Sequence, residues 1–281
     1  MEIQNRAILV KLSISSWAAV KQDREASMQV IRDKKAESSA GSFKKKLVDS
    51  HLLRDFNTLT RRAQRIHQDY TLPWLDNGYR ILPSALYLKY RDAMREVSSE
   101  MGTVVDKIVS NRETIMHHAK QRLGEMYKES EFPSADELRS KFGMDVDMLP
   151  VPTSNDWRVE LDNNQVDELR NELETKTSAA QADAMRHLWN RLHESIQKMV
   201  DRLENDGKLH ESTFDGLRDL VDLLPDLNID KNPDMDEVAA DLRLKLRNVD
   251  LVTLRKDDKE RARAAGELDD ILKRIQQFSS N

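Results

Sequence analysis

The chain contains no cysteine among its 281 residues. Disulfides, thiol nucleophiles, cysteine-ligated zinc and iron–sulfur clusters are thereby excluded, and a reducing cytoplasm is the expected setting. Glycine and proline are scarce, at 8 and 7 residues, which fits long helices rather than a disordered chain. Long hydrophobic runs are missing as well. The one apolar stretch near the N-terminus, ending at Ile14, is too short to cross a bilayer and has no small-residue cleavage site, so neither anchoring nor export is expected. Charge of a single sign is also lacking, because the net −5 is spread over interleaved acids and bases. No global field draws the chain to DNA or acidic lipid, and nucleic-acid binding would have to be local. A nucleophile elbow, phosphate loop, dinucleotide fingerprint and zincin pattern are all absent, so the chain reads as non-catalytic and free of cofactors.

What is present is charge and periodicity. Charged residues make up 34% and hydrophobic residues 38%, the profile of helices with wet outer faces. Residues 7 to 15 alternate, Ile8, Val10, Leu12 and Ile14 against Leu9, Lys11, Ser13 and Ser15, which predicts a half-buried strand. From Arg32 to Lys46 the chain is polar and basic around Ser38, Ser39, Gly41 and Ser42, the pattern of a mobile loop. Leu52, Phe56, Leu59, Ala63, Ile66 and Tyr70 then follow at steps of four and three, a seam along which one helix can lie on another, with Asp49 as its cap. Pro73 and Pro83 break that helix, and Asn77-Gly78 favours a turn between them, so Pro73, Trp74, Gly78, Tyr79 and Pro83 form a corner pinned by aromatics.

A second seam passes through Tyr90, Met94, Val97, Met101, Val104 and Ile108 and continues to Met126, predicting one helix over about 84 to 129, more than roughly 60 Å long, and an elongated molecule. Ser134-Ala135-Asp136-Glu137 is a capping box for a short helix that stops at Gly143. Alternation over 144–151 and 156–161, with Thr153-Ser154-Asn155 between, predicts a hairpin that residues 7 to 15 can join. A third long helix, 165–206, is capped by Asn164, carries a stripe from Val166 to Leu203 and ends at Gly207. Shorter helices follow near 213–224, 235–248 and 258–278, with Pro225 and Pro233 marking the first break. The expected fold is therefore mainly α: long antiparallel helices in a coiled-coil-like three-helix core, a small three-stranded antiparallel sheet and a C-terminal helical subdomain. The expected division is 1–207 and 208–281.

The run from Gly41 to Tyr90, above all Leu72-Pro73-Trp74-Leu75-Asp76-Asn77-Gly78-Tyr79-Arg80-Ile81-Leu82-Pro83, resembles a family of uncharacterised proteins from tailed bacteriophages and prophages, domain-of-unknown-function family 3150. Tyr127 to Phe142, with Phe132-Pro133-Ser134, and Ala184-Met185-Arg186-His187-Leu188-Trp189 resemble it too, so the likeness spans roughly residues 7 to 205. It implies a phage or bacterial cytoplasmic origin. It brings no activity, cofactor or catalytic residue.

Candidate sites are few. Asp226, Asn228, Asp230, Asp234 and Glu237 occupy the ligand positions of a calcium loop, but Lys231 stands where that loop needs glycine. The competing reading makes Asp234 a helix cap with Glu237 closing its capping box. His117 and His118 are adjacent, and His187 and His193 lie six apart, so neither pair shares a helix face. Asp167, Glu168 and Glu172 read as a solvated face. Lys34, Lys35, Lys44, Lys45 and Lys46, followed by Arg61, Arg62 and Arg65, make the best local basic patch for phosphates, with Trp74 and Tyr79 as aromatics that either stack bases or pack in the corner. Two functions are weighed. The first is a scaffold that forms homo-oligomers or binds a protein of phage or host origin through its long helices; the second is a nucleic-acid-binding factor of phage DNA metabolism, single-strand-binding or annealing, which uses the basic patch.

Overall fold

The computed structural model describes residues 3–75, 78–153, 163–204, 209, 211–247, 249 and 251–279. It is mostly helical (72%) with a small antiparallel sheet. The chain divides into two compact units, neither of them one stretch of sequence. The first gathers residues 1–11, 67–90 and 147–281 and so takes in both sides of residue 207; the second gathers 12–66 and 91–146.

Strand β1, Ala7–Ser15, forms where alternation predicted it, but Ala7, Leu9 and Val10 are all buried, so its first half is covered on both faces. The corner is itself a hairpin: β4, Leu72–Pro73, pairs with β5, Arg80–Pro83, and β5 pairs with β1 in the register Ala7↔Pro83 to Val10↔Arg80. With β6, Gly143–Pro150, the sheet order is β4-β5-β1-β6, four strands where three were expected. The turn at Asn77 and the predicted strand 156–161 lie outside the described residues.

In the first unit α6, Asn163–Glu204, starts ahead of the expected cap at Asn164. The expected stop at Gly207 lies outside the described residues. Helix α10, Asp258–Ser279, packs along α6, and α7, Glu211–Leu227, packs on both α6 and α8, Pro233–Arg247. A single turn and a half, α9, Leu251–Lys256, leads into α10. Leu188, Leu192, Ile196 and Met199 of α6 are wholly buried, as are Leu224, Leu227, Met235, Val238 and Leu242 of the α7–α8 hairpin. Pro225 does not break α7 as predicted. It sits inside the last turn, where its missing N–H leaves the carbonyl of Val221 without its helical partner, and Arg243 Nη2 on α8 reaches that oxygen at 3.4 Å.

The second unit departs further from the sequence reading. The stretch expected as a mobile loop, 32–46, takes in the end of α1, Arg24–Asp33, and the whole of β3, Phe43–Lys46, which pairs antiparallel with β2, Val20–Asp23, from Val20↔Lys46 to Asp23↔Phe43. Helix α2, Arg54–Tyr70, follows a short 3-10 turn capped by Asp49. The single helix expected over 84 to 129 is two. Helix α3, Tyr87–Ser110, ends where the Ser110 hydroxyl and the Asn111 amide turn back on the carbonyls of Asp106 and Lys107, and α4, Arg112–Leu123, runs on to Gly124 at φ +54. Such back-bonding offers the backbone an alternative to the helical ladder. The capping box is present, with Ser134 and Glu137 starting α5, Ala135–Ser140. The core of this unit joins Trp17, Leu47, Val48, Ile108, Ala119, Leu123, Phe132 and Leu138.

Candidate functional site

The basic patch is built on the β2–α1–β3 module. Asp23 ends β2 and caps α1, accepting from the Ala26 N–H at 3.1 Å. Ser27, one turn on, accepts from the backbone N–H of Phe43 at 2.9 Å and so ties the helix to β3. Because side chains alternate along a strand, Lys45 points opposite to Lys44 and Lys46. Its ammonium lies 3.1 Å from Asp23, 2.9 Å from Glu131 and 2.6 Å from the carbonyl of Met126, with the side chain 1% exposed. Burial opposes the charge, yet the hydrogen bonds to Glu131 and Asp23 outweigh it and hold the ammonium above its usual pKa. The Ala26 N–H, and after it Lys45, keeps the Asp23 carboxyl below the usual range.

Lys45 is thus consumed by the fold and corrects the five-lysine patch: a buried ammonium shared by two carboxylates cannot meet a phosphate. Arg62 is engaged at the surface, donating to Glu100 at 2.7 Å and Glu96 at 2.9 Å on α3 while its side chain stays 42% exposed. Lys34, Lys35, Lys44, Lys46, Arg61 and Arg65 are exposed, with Arg61 donating to Thr58. Arg122 joins them unforeseen, its guanidinium bonded to the carbonyl of Lys46. Residues 12 to 66 carry 12 Lys and Arg against 6 Asp and Glu, a local positive excess on a chain of negative net charge.

The corner residues are structural. Trp74 is 2% exposed and closed to stacking with a base. Gly78 takes φ +81, a conformation only glycine adopts without strain, and lies beside the Lys11 side chain. Lys11 sits 5.6 Å from the centre of the Tyr79 ring, whose hydroxyl donates to Asp147. That bond, with some burial, raises the Tyr79 pKa. Pro73 and Pro83 close the two strands.

Behind the corner lies a polar cluster that sequence reasoning missed. Arg80 donates to the Thr71 hydroxyl at 2.6 Å and the Thr71 carbonyl at 3.0 Å. Arg191 from α6 donates to the carbonyls of Gln68 and Asp69, both at 3.2 Å, and to the Asp69 carboxylate at 2.8 Å. Two guanidiniums thus close the last turn of α2, where unpaired carbonyls and the negative end of the helix dipole favour cations. His67, one turn back, is hydrogen-bonded through Nδ1 to the Tyr90 hydroxyl at 2.9 Å. Burial, and after it the charge of Arg80, lowers the His67 pKa to about 4. Burial also raises that of Tyr90. His187 is lowered by burial and then by the charges of Arg80 and Arg191. The one signal for this cluster was His67 itself, next to the seam residue Ile66 and one turn after Ala63.

The acidic run does not assemble as a cation loop. Asn228 is fully buried and hydrogen-bonds to Asn232 and Asp236. Asn232, not Asp234, caps α8 by accepting from the N–H groups of Asp234 and Met235, while Glu237 pairs with Arg274, not with a cap. Asp230 accepts from Gln181, Asp226 faces Lys89 at 3.8 Å, and Lys231 takes the positive φ of 55 that suits glycine. Among the described residues no group of three or more His, Asp and Glu is placed to hold a metal ion, and no helix is long and apolar enough to cross a membrane. His117 bonds to Gln121, and its ring centre lies 6.3 Å from that of exposed His118. His193 bonds to Gln276. Glu172 pairs with Lys176 and Asp167 with Arg170 along the exposed face of α6, where Glu168 also lies. No family model, no curated protein and no solved structure matches the chain.

Proposed function

We propose that the chain is a non-catalytic interaction protein, cytoplasmic and of phage or prophage type as the family resemblance implies, which self-associates or binds a protein partner through its amphipathic helices. The observation that carries this reading is the uneven burial of α6. One apolar stripe runs along its 42 residues, buried from Ala180 through Leu188, Leu192, Ile196 and Met199 to Leu203, and only partly buried at Val166, Leu169 and Leu173. A stripe that continues past its cover is a surface on which a second helix can lie. Light scattering at tens of micromolar is expected to report a dimer or larger species. Replacing Leu169 and Leu173 together by Lys should return a monomer with unchanged far-ultraviolet dichroism. A strictly monomeric wild-type chain, with no partner retained from infected cells, removes the reading.

A second reading, nucleic-acid binding, is favoured by the exposed Lys44 and Lys46 beside Arg122. Phosphate contacts through these groups would weaken steeply with salt. A low-salt gel shift with single- and double-stranded DNA tests it, and a shift that survives Lys44→Glu with Lys46→Glu counts against this surface.

A further inference from the structure

Strands β2 and β3 pair only with each other, so among the described residues they form an isolated two-stranded ribbon. Side chains alternate along each strand, and residues opposite one another share a face. One face is consumed by the fold. Ala19 and Leu47, joined by a further backbone hydrogen bond at 2.7 Å, are buried in the core of the unit, and Asp23 and Lys45 are buried in the ion cluster with Glu131. The Ser27 hydroxyl, which donates to the carbonyl of Asp23 and accepts from the N–H of Phe43, fastens the far end. The other face carries Val20 opposite Lys46 and Gln22 opposite Lys44, all four exposed. Among the described residues, no hydrogen bond or ion pair engages the side chains of Gln22, Lys44 or Lys46. A ribbon pinned on one side by buried charges and bare on the other holds its outward side chains at fixed spacing.

We propose that this bare face enters the major groove of duplex DNA, where Val20, Gln22, Lys44 and Lys46 read base edges. The inference rests on the nucleic-acid reading above and narrows it. Dimensions agree: a B-form major groove, about 12 Å wide, admits a two-stranded ribbon. Side chains two residues apart on one strand lie about 6.7 Å apart, the length of two base-pair steps at roughly 3.4 Å each. The chemistry agrees as well, since lysine donates to O6 and N7 of guanine, glutamine pairs with N6 and N7 of adenine, and an aliphatic side chain meets the methyl of thymine. Exposed Arg122, bonded to the carbonyl of Lys46, supplies a cation beside the ribbon for a backbone phosphate. The cation excess of residues 12 to 66 suits a polyanion. Single strands are the poorer match, because they are held by aromatic side chains on which bases stack; this face has none, and Trp17 and Phe56 of the same unit are buried. Duplex RNA is poorer still, its deep and narrow major groove being closed to side chains.

The test begins with selection of a random-sequence duplex pool on the full chain at about 50 mM salt, where phosphate contacts are strong. Enrichment of a short motif containing guanine is expected. Fluorescence anisotropy should then show the selected duplex bound tighter than a scrambled duplex or either single strand, by roughly tenfold or more. Methylation of the guanine N7 atoms should remove that preference. Gln22→Ala and Lys44→Ala should each lower the ratio of selected to scrambled affinity severalfold, with thermal melts matching the wild type because both side chains are in water. No binding to any duplex or single strand removes the nucleic-acid reading and this inference with it. Binding without an enriched motif, single strands bound as tightly as the selected duplex, or a preference unchanged in Gln22→Ala and Lys44→Ala overturns groove reading alone and leaves phosphate contact standing.

Discussion

Single buried polar groups set the most specific expectations. His67 is neutral in the fold, with a pKa of about 4 against an ordinary value of about 6.5. Above pH 6.5 neither the folded nor the unfolded state holds the extra proton; between 6.5 and about 4 the unfolded state takes it up alone. Stability contributed by the neutral ring is therefore complete above pH 6.5 and falls as the pH drops through that window, by on the order of 3 kcal/mol. Urea denaturation at stepped pH should show this slope in the wild type and a flatter one in His67→Gln. Lys45→Ala should cost about 3 to 5 kcal/mol, because it strands Asp23 and Glu131 without their counter-charge. Lys44→Ala and Lys46→Ala should stay within about 0.5 kcal/mol in the same denaturation experiment, since both side chains are in water. Composition places five lysines in one segment but cannot tell which faces inward. That depends on the strand phase of β3 and on Glu131, 86 residues away in the chain, whose approach no local pattern encodes.

Helices were legible where their apolar period is strong, and their ends where caps are local: the Ser134 capping box, the Asp49 cap and the stripe of α6 from Ala180 to Leu203 all appear in the structure. The misreadings arise where a tertiary partner overrides a local rule. Pro225 is the clearest case, because the proline rule holds only while the orphaned carbonyl has no other donor, and Arg243 supplies one. Arg243→Met should thus cost about 1 kcal/mol in the wild type and less in a Pro225→Ala background, where the helix restores its own bond. A double-mutant cycle by chemical denaturation measures the difference. The break at Asn111 and the short strands β2 and β3 lie below what hydrophobic period resolves, the first because the seam continues across it, the second because FKKK carries no apolar alternation.

At the level of the whole chain, each unit is woven from separated segments, and the boundaries fall inside β1, α2, α3 and β6. The candidate sites were legible only as residue types: the run of lysines gave no sign that Lys45 turns inward, and the arginine-capped end of α2 had no signature beyond His67. A fragment ending at residue 207 would lack α7 and α10, the helices that pack on α6. It would uncover part of the apolar stripe of α6, whose side chains each contribute about 1.5 to 3 kcal/mol when buried. The fragment 1–207 is therefore expected to aggregate or bind 8-anilinonaphthalene-1-sulfonate strongly, whereas the full chain stays soluble; sedimentation and dye fluorescence distinguish the two. The inward turn of one lysine between two outward ones has a practical consequence. An amine-acylating reagent should mark Lys44 and Lys46 in seconds while sparing Lys45, so the ratio of marks across three adjacent residues becomes an internal clock for the opening of the hairpin, readable by mass spectrometry in a crude extract with no assay of activity.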